Sequence, residues 1–138
     1  MALTLLVKET TFGVGDTVKV HLKIKEGEKT RNQIFEGMVI GIKGKETEKT
    51  FTVRKMGAQR VGIEMIFPLN TPSLEKVEVI REGTEGVKQA KLYYTRGKST
   101  REIEKIYSRA ARKNQPQEKK KIKKPSKKVK KVKKTTKK

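Results

Sequence analysis

Beyond the turn pair Gly15-Asp16, the residues Val18, Val20, Leu22 and Ile24 alternate with Lys19, His21, Lys23 and Lys25. A period of two sends successive side chains to opposite faces, so 17–25 reads as a strand with one face buried. The polar turn Glu26-Gly27-Glu28-Lys29 leads into a second β-rich segment, 32–42, which pairs with the first as a hairpin. Its Gly37 and Gly41 suggest bending or close backbone approach. After the charged loop 43–49, Phe51 and Val53 alternate with Thr52 and Arg54, and beyond Gly57 the series Val61, Ile63, Met65, Phe67 repeats the period. Pro68 and Pro72 bracket a rigid connection to a fifth strand at 76–81, with Val77 and Val79 on one side and Lys76, Glu78 and Ile80 on the other. Short strands joined by short connections, with no helix between them, pair antiparallel. So few of them bury a common face by curling into a small barrel, SH3-like or OB-like. A domain of this size removes only about 60% of its unfolded surface from water, so modest stability is expected.

The pattern then changes. Glu82-Gly83-Thr84-Glu85-Gly86 reads as a flexible acidic link into an extended arm at 88–98, where cations interleave with Leu92, Tyr93 and Tyr94. Ser99-Thr100-Arg101-Glu102 has the capping-box spacing. Ile103, Ile106, Tyr107 and Ala110 follow three or four apart, which predicts a short helix to about Lys113 whose other face carries Arg101, Lys105, Arg109 and Arg112. From Pro116 onward there are 13 Lys, one Glu and only three aliphatic residues, too few to offset the entropy of ordering, so the tail is expected to be disordered.

Charge sharpens this division. The 138-residue chain carries a formal net charge of +21, but residues 1–87 hold 14 basic and 12 acidic side chains against 22 and 3 in residues 88–138. The excess implies a polyanionic partner for the rear half, which is expected to gain its order from phosphate. With no Cys and one His, the chain cannot build a Cys or Cys/His zinc site, a thiol nucleophile or a two-imidazole centre. His21 sits among lysines on the polar strand face and reads as an ordinary solvated or phosphate-near side chain. The pairs Glu26/Glu28, Glu46/Glu48 and Glu102/Glu104 read as charge balance rather than as acid and base, and no Gly-rich turn is followed by Lys-Ser or Lys-Thr and a helix. No enzyme, cofactor or small-molecule substrate is expected. The apolar run at residues 1–7 is too short for an export signal, and no stretch has the length needed to cross a bilayer.

In the arm, Tyr93 and Tyr94 among Lys88, Lys91, Arg96 and Lys98 combine flat π surfaces with cations. Such rings stack on bases or sugars while Lys and Arg replace phosphate counterions. In an extended chain the two rings point opposite ways, so one can close the base of the barrel while the other meets nucleic acid. The tail, lysine without arginine, suits point-charge neutralisation without sequence choice.

The blocks Gly15-Asp16-Thr17-Val18, Phe35-Glu36-Gly37, Phe51-Thr52-Val53-Arg54-Lys55, Gly62-Ile63-Glu64, Phe67-Pro68-Leu69 and Ala90-Lys91-Leu92-Tyr93-Tyr94, in that order and spacing, resemble bacterial large-subunit ribosomal protein nineteen from about Phe12 to Lys98. The resemblance implies an SH3-like barrel seated on large-subunit ribosomal RNA, beside a neighbouring large-subunit ribosomal protein. It also implies contact with small-subunit ribosomal RNA at an intersubunit bridge. By the same resemblance Arg54 and Lys55 match a basic strand end, and Lys91, Tyr93, Tyr94, Arg96 and Lys98 match an RNA-bound arm. With Arg60, Lys88, Arg101, Arg109, Arg112 and Lys113 these make up the expected RNA-binding set.

The expected organisation is a short N-terminal segment (1–14), an SH3-like antiparallel β-barrel (15–87), a basic arm and short helix (88–115) and a disordered lysine-rich tail (116–138). The expected function is that of a structural constituent of the large subunit in the cytoplasmic ribosome. The rival reading from the same physics is a nonspecific duplex-DNA-binding nucleoid or transcription-associated protein.

Overall fold

A computed structural model describes residues 4–45 and 48–114. The lysine-rich tail, and with it the expectation that it is disordered, lies outside the described residues.

The protein is mainly β. Seven strands run in the order β1 (Thr4–Val7), β2 (Thr10–Gly13), β3 (Thr17–Glu26), β4 (Lys29–Lys43), β5 (Thr50–Met56), β6 (Gly62–Pro68) and β7 (Leu74–Arg81), and one helix, α1 (Thr100–Asn114), follows them. Strands β3 to β7 form one antiparallel sheet in the order β6-β5-β4-β3-β7, which contains the five strands expected from the alternation. The chain returns from the β6 edge to lay β7 beside β3, with Val77 opposite Val20. Among the described residues β6 and β7 do not pair with each other, so the hydrogen-bond ladder stays open.

Residues 4–14, read from sequence only as a short N-terminal segment, form a hairpin. Leu5 and Val7 of β1 and Phe12 of β2 are buried, as is Val14 just beyond. Phe12 meets Phe51 edge-on at 5.2 Å, and Phe51, Phe67 and Phe35 continue the aromatic series at 5.3 and 5.9 Å. Residues 4–7 of the apolar run are therefore a core strand. The Lys8 ammonium anchors its turn by donating to the backbone carbonyls of Leu74 and Glu75 at the start of β7.

The 15-residue β4 serves both halves of the sheet because it bends. Its register against β5 slips between Val39 and Gly41, leaving Ile40 as a bulge. Gly37 is needed just before this bend, because a Cβ there would overlap the Arg54 backbone carbonyl at 2.5 Å. Val18 and Val20, Phe35, Phe51 and Val53, Phe67, and Leu74 and Val77 fill the core from successive strands.

Candidate nucleic-acid interface

The bulge creates the attachment point of the arm. The Ile40 carbonyl, freed from the ladder, accepts the Leu92 N–H at 2.7 Å, and Leu92 is fully buried. Thr95, also buried, donates its hydroxyl to the Leu92 carbonyl at 2.6 Å and closes a 3₁₀ turn over Tyr93–Gly97. The arm is thus turned, where an extended course was expected. Anchoring one apolar side chain between two polar neighbours forces the chain to bend back on the sheet.

This turn separates the two rings. Tyr93 is half-buried against the sheet, with the Arg96 guanidinium 4.8 Å and the Lys43 ammonium 5.7 Å from its ring centroid. Tyr94 is 44% exposed.

Two of the expected RNA-binding cations, Arg54 and Arg96, meet on one carboxylate within the protein. Arg54 on β5 stands directly opposite Glu64 on β6 and donates Nη1 to Oε1 at 2.7 Å. Arg96 grips the same carboxylate in a fork, Nε to Oε1 at 2.8 Å and Nη2 to Oε2 at 2.7 Å. One carboxylate shared by two guanidiniums pins the arm to the β5–β6 edge. The Arg96 hydrogen bonds, followed by those of Arg54, hold the Glu64 carboxyl below its usual value against the opposing effect of burial. Glu64 was missed as an organising residue from sequence. Its signal is register: a hairpin that pairs Met56 with Gly62 necessarily pairs residue 54 with residue 64.

The helix is docked as firmly. Ile106, Tyr107 and Ala110 are buried, the face that the helical spacing selects. The Tyr107 hydroxyl shares a 2.6 Å hydrogen bond with Thr17 Oγ1, and the Arg81 guanidinium lies 3.9 Å from the Tyr107 ring centroid. Burial pushes the Tyr107 hydroxyl pKa up, partly opposed by the Thr17 bond. At the helix start the Glu102 carboxylate accepts the Ser99 N–H at 3.3 Å, one half of the expected capping box. Gly86 lets the backbones touch, since any Cβ there would collide with the Ile106 carbonyl. Arg109, expected to face RNA, is half-buried and donates Nε to the Gly86 carbonyl at 3.0 Å.

Asp16, read from sequence only as a turn residue, organises this junction. Its buried carboxylate accepts from the Gly13 N–H at 2.7 Å through Oδ2. Through Oδ1 it accepts from the Gly83 N–H, the Thr84 N–H and the Thr84 hydroxyl at 2.7, 2.8 and 2.7 Å. The β2–β3 turn is thereby tied to the segment on which α1 rests. Residues 88–114 therefore find ordering partners within the chain itself, beyond any phosphate they meet.

The remaining cations divide by position. Lys88, Lys91, Lys98, Arg101, Arg112 and Lys113 are exposed along the arm and the outer side of α1. Lys55 lies over the Phe35 ring at 4.5 Å, and exposed Arg60 sits in the β5–β6 turn at φ 61°. His21 approaches Glu78 at 3.6 Å across the β3–β7 pair. Among the described residues no group of three or more His, Asp or Glu is placed to hold a metal ion, and no helix is long and apolar enough to cross a membrane.

A small antiparallel sheet with a cationic arm and helix fixed to it has the make-up of a scaffold component of a nucleoprotein particle. Residues 4–109 match the family model "Ribosomal protein L19", and the chain belongs to that family. The chain is 55% identical over 91 residues to "Large ribosomal subunit protein bL19" of Thermosipho melanesiensis, covering 65% of this chain and 77% of the relative. It is 56% identical over 88 residues to the protein of the same name from Wolinella succinogenes, with 64% and 73% covered. Against that of Helicobacter pylori it is 53% identical over 94 residues, with 66% and 78% covered. The match extends the resemblance seen at 12–98 to include the β1–β2 hairpin and most of α1. Membership makes the chain a structural, non-enzymatic ribosomal component.

Proposed function

We propose that this chain, as a structural constituent of the large ribosomal subunit in the cytoplasmic ribosome, binds ribosomal RNA near the subunit interface and contributes to an intersubunit bridge. In this reading the curled sheet with its β1–β2 hairpin is an SH3-like barrel acting as a shaped spacer, and residues 88–114 are the RNA-facing surface. The observation that carries it is the division of the cations. Arg54 and Arg96 are consumed in holding the arm, while Lys88, Lys91, Arg101 and Arg112 stay exposed along the surface so positioned, with Lys98 and Lys113 exposed there beside Glu102 and Glu85. Backbone phosphate is the partner such a surface suits, and exposed Tyr94 adds a stacking face. The charge of the tail adds affinity without sequence choice. Small-subunit ribosomal RNA and a neighbouring large-subunit protein are the further partners of this role.

Sedimentation of cell extract with mass spectrometry of the fractions tests the reading, with the chain expected in the large subunit. A crosslinking map of residues 88–138 on intact ribosomes would then locate the RNA contacts. Absence from the large-subunit fraction, or a surface at 88–114 that crosslinks to no RNA, would overturn it.

A further inference from the structure

Between the arm and α1 lies an open cleft of about 150 Å³. Ile103 supplies apolar surface over the buried Ile106, Tyr94 an aromatic one, and Lys98, Lys105 and Arg109 are the lining cations, with the Glu102 carboxylate beside Lys98. We propose that this cleft receives one unpaired nucleotide of RNA, its base stacked on Tyr94 and its phosphates held by Lys105 and Arg109. The inference rests on the ribosomal RNA-binding reading and names the form of RNA taken at this place.

Three features separate this cleft from a general phosphate-binding surface. Tyr94 keeps 44% of its surface open, while its neighbours Leu92 and Thr95 are buried and hold the turn that presents it. Secondly, the Tyr94 ring with the Ile103 side chain and the small volume fit the face of one flat ring system, which an unpaired base offers, since paired bases keep their faces within the helix stack. Thirdly, the cations are placed for the attached backbone. Lys98 is shared with Glu102 at 3.4 Å. Lys105 and Arg109 stand one helical turn apart on a single face of α1, and the Arg109 guanidinium is oriented through Nε by the Gly86 carbonyl.

The test uses the full chain and a single-stranded RNA carrying one 2-aminopurine, compared with the same strand annealed into a duplex, at an ionic strength high enough to weaken tail binding. The single strand is expected to show quenched 2-aminopurine fluorescence on binding and the duplex is not. Tyr94→Ala should abolish the quenching and weaken single-strand binding about fivefold to 160-fold, the range for losing one stacked base. Tyr94→Phe should retain both, and Lys105→Gln should lower the salt slope by about 0.7 while keeping the quenching. Circular dichroism checks that each variant keeps the fold. If RNA binds and Tyr94→Ala quenches as the parent does, the cleft proposal falls and the RNA-binding reading stands. If neither RNA form binds, both fall.

Discussion

Replacing Glu64 by Ala removes the one carboxylate that Arg54 and Arg96 share. The side chains of Arg54 and Glu64 keep 13% and 22% of their surface, between the exposed pairs worth about 0.2–1 kcal/mol and the buried ones whose breaking costs about 3–5 kcal/mol. Partial solvent screening places the loss at about 1–2 kcal/mol, or a fall in melting temperature of about 5–10 °C for a domain of this size. Arg96 lies in solvent, so its loss is read through the arm rather than through global stability. With two guanidiniums facing each other unpaired, the turn at 93–97 should lift, and tryptic cleavage after Arg96 should accelerate. The assay is urea unfolding of Arg54→Ala, Glu64→Ala and the double variant, with timed trypsin digestion alongside. A coupling energy of about 1 kcal/mol or more is expected between the two sites. The folded Glu64 carboxyl lies below its ordinary value of 4.5, so its contribution is complete above that pH and lost as pH falls through the folded value. The gap between parent and variant should therefore be full at neutral pH and close under acid. Coupling within about 0.3 kcal/mol of zero, the scatter of independent sites, together with unchanged cleavage after Arg96, would refute the clasp.

Asp16→Ala strips the acceptor from the buried Gly13 and Gly83 N–H groups and should destabilise the fold by about 3–5 kcal/mol in thermal melts. Asp16→Asn should cost less, because one amide oxygen still meets Gly83 and Thr84 while the NH₂ faces the Gly13 donor. Tyr107→Phe removes only the hydroxyl bond to Thr17 and should cost about 1 kcal/mol in urea unfolding, whereas Gly86→Ala, which drives a methyl into the Ile106 carbonyl, should expose α1 to proteolysis. Deleting residues 116–138 should weaken RNA association and flatten its salt dependence while circular dichroism stays that of the folded sheet. About ten tail lysines releasing counterions correspond to a log K against log salt slope of about −7 to −9 in the full chain.

Alternation and spacing carried far in this protein. The five strands of the main sheet and the buried face of α1 are written in periods of two and near three and a half, because each side chain's choice between water and core is a local property repeated along the chain. Net charge, the missing Cys and the lone His likewise excluded most catalytic chemistry from the inventory alone. The β1–β2 hairpin was harder to see. Leu5 and Val7 do alternate with Thr4 and Leu6, but Leu6 is itself apolar and 63% exposed, so the period is blurred.

The site residues divide along a different line. That Arg54, Arg96, Tyr93 and Tyr94 stand among cations is plain in the sequence, and so is a chemistry suited to phosphate and stacking. That Arg54 and Arg96 spend their charge on Glu64, that Tyr93 turns inward while Tyr94 turns out, and that Asp16 ties its turn to the segment under α1 all depend on contacts between residues 10 to 68 positions apart. Such contacts come from strand register and from a bulge that frees one carbonyl at Ile40. Local composition contains the charges, but only the folded backbone determines which opposite charges come within hydrogen-bonding distance and which are left facing outward.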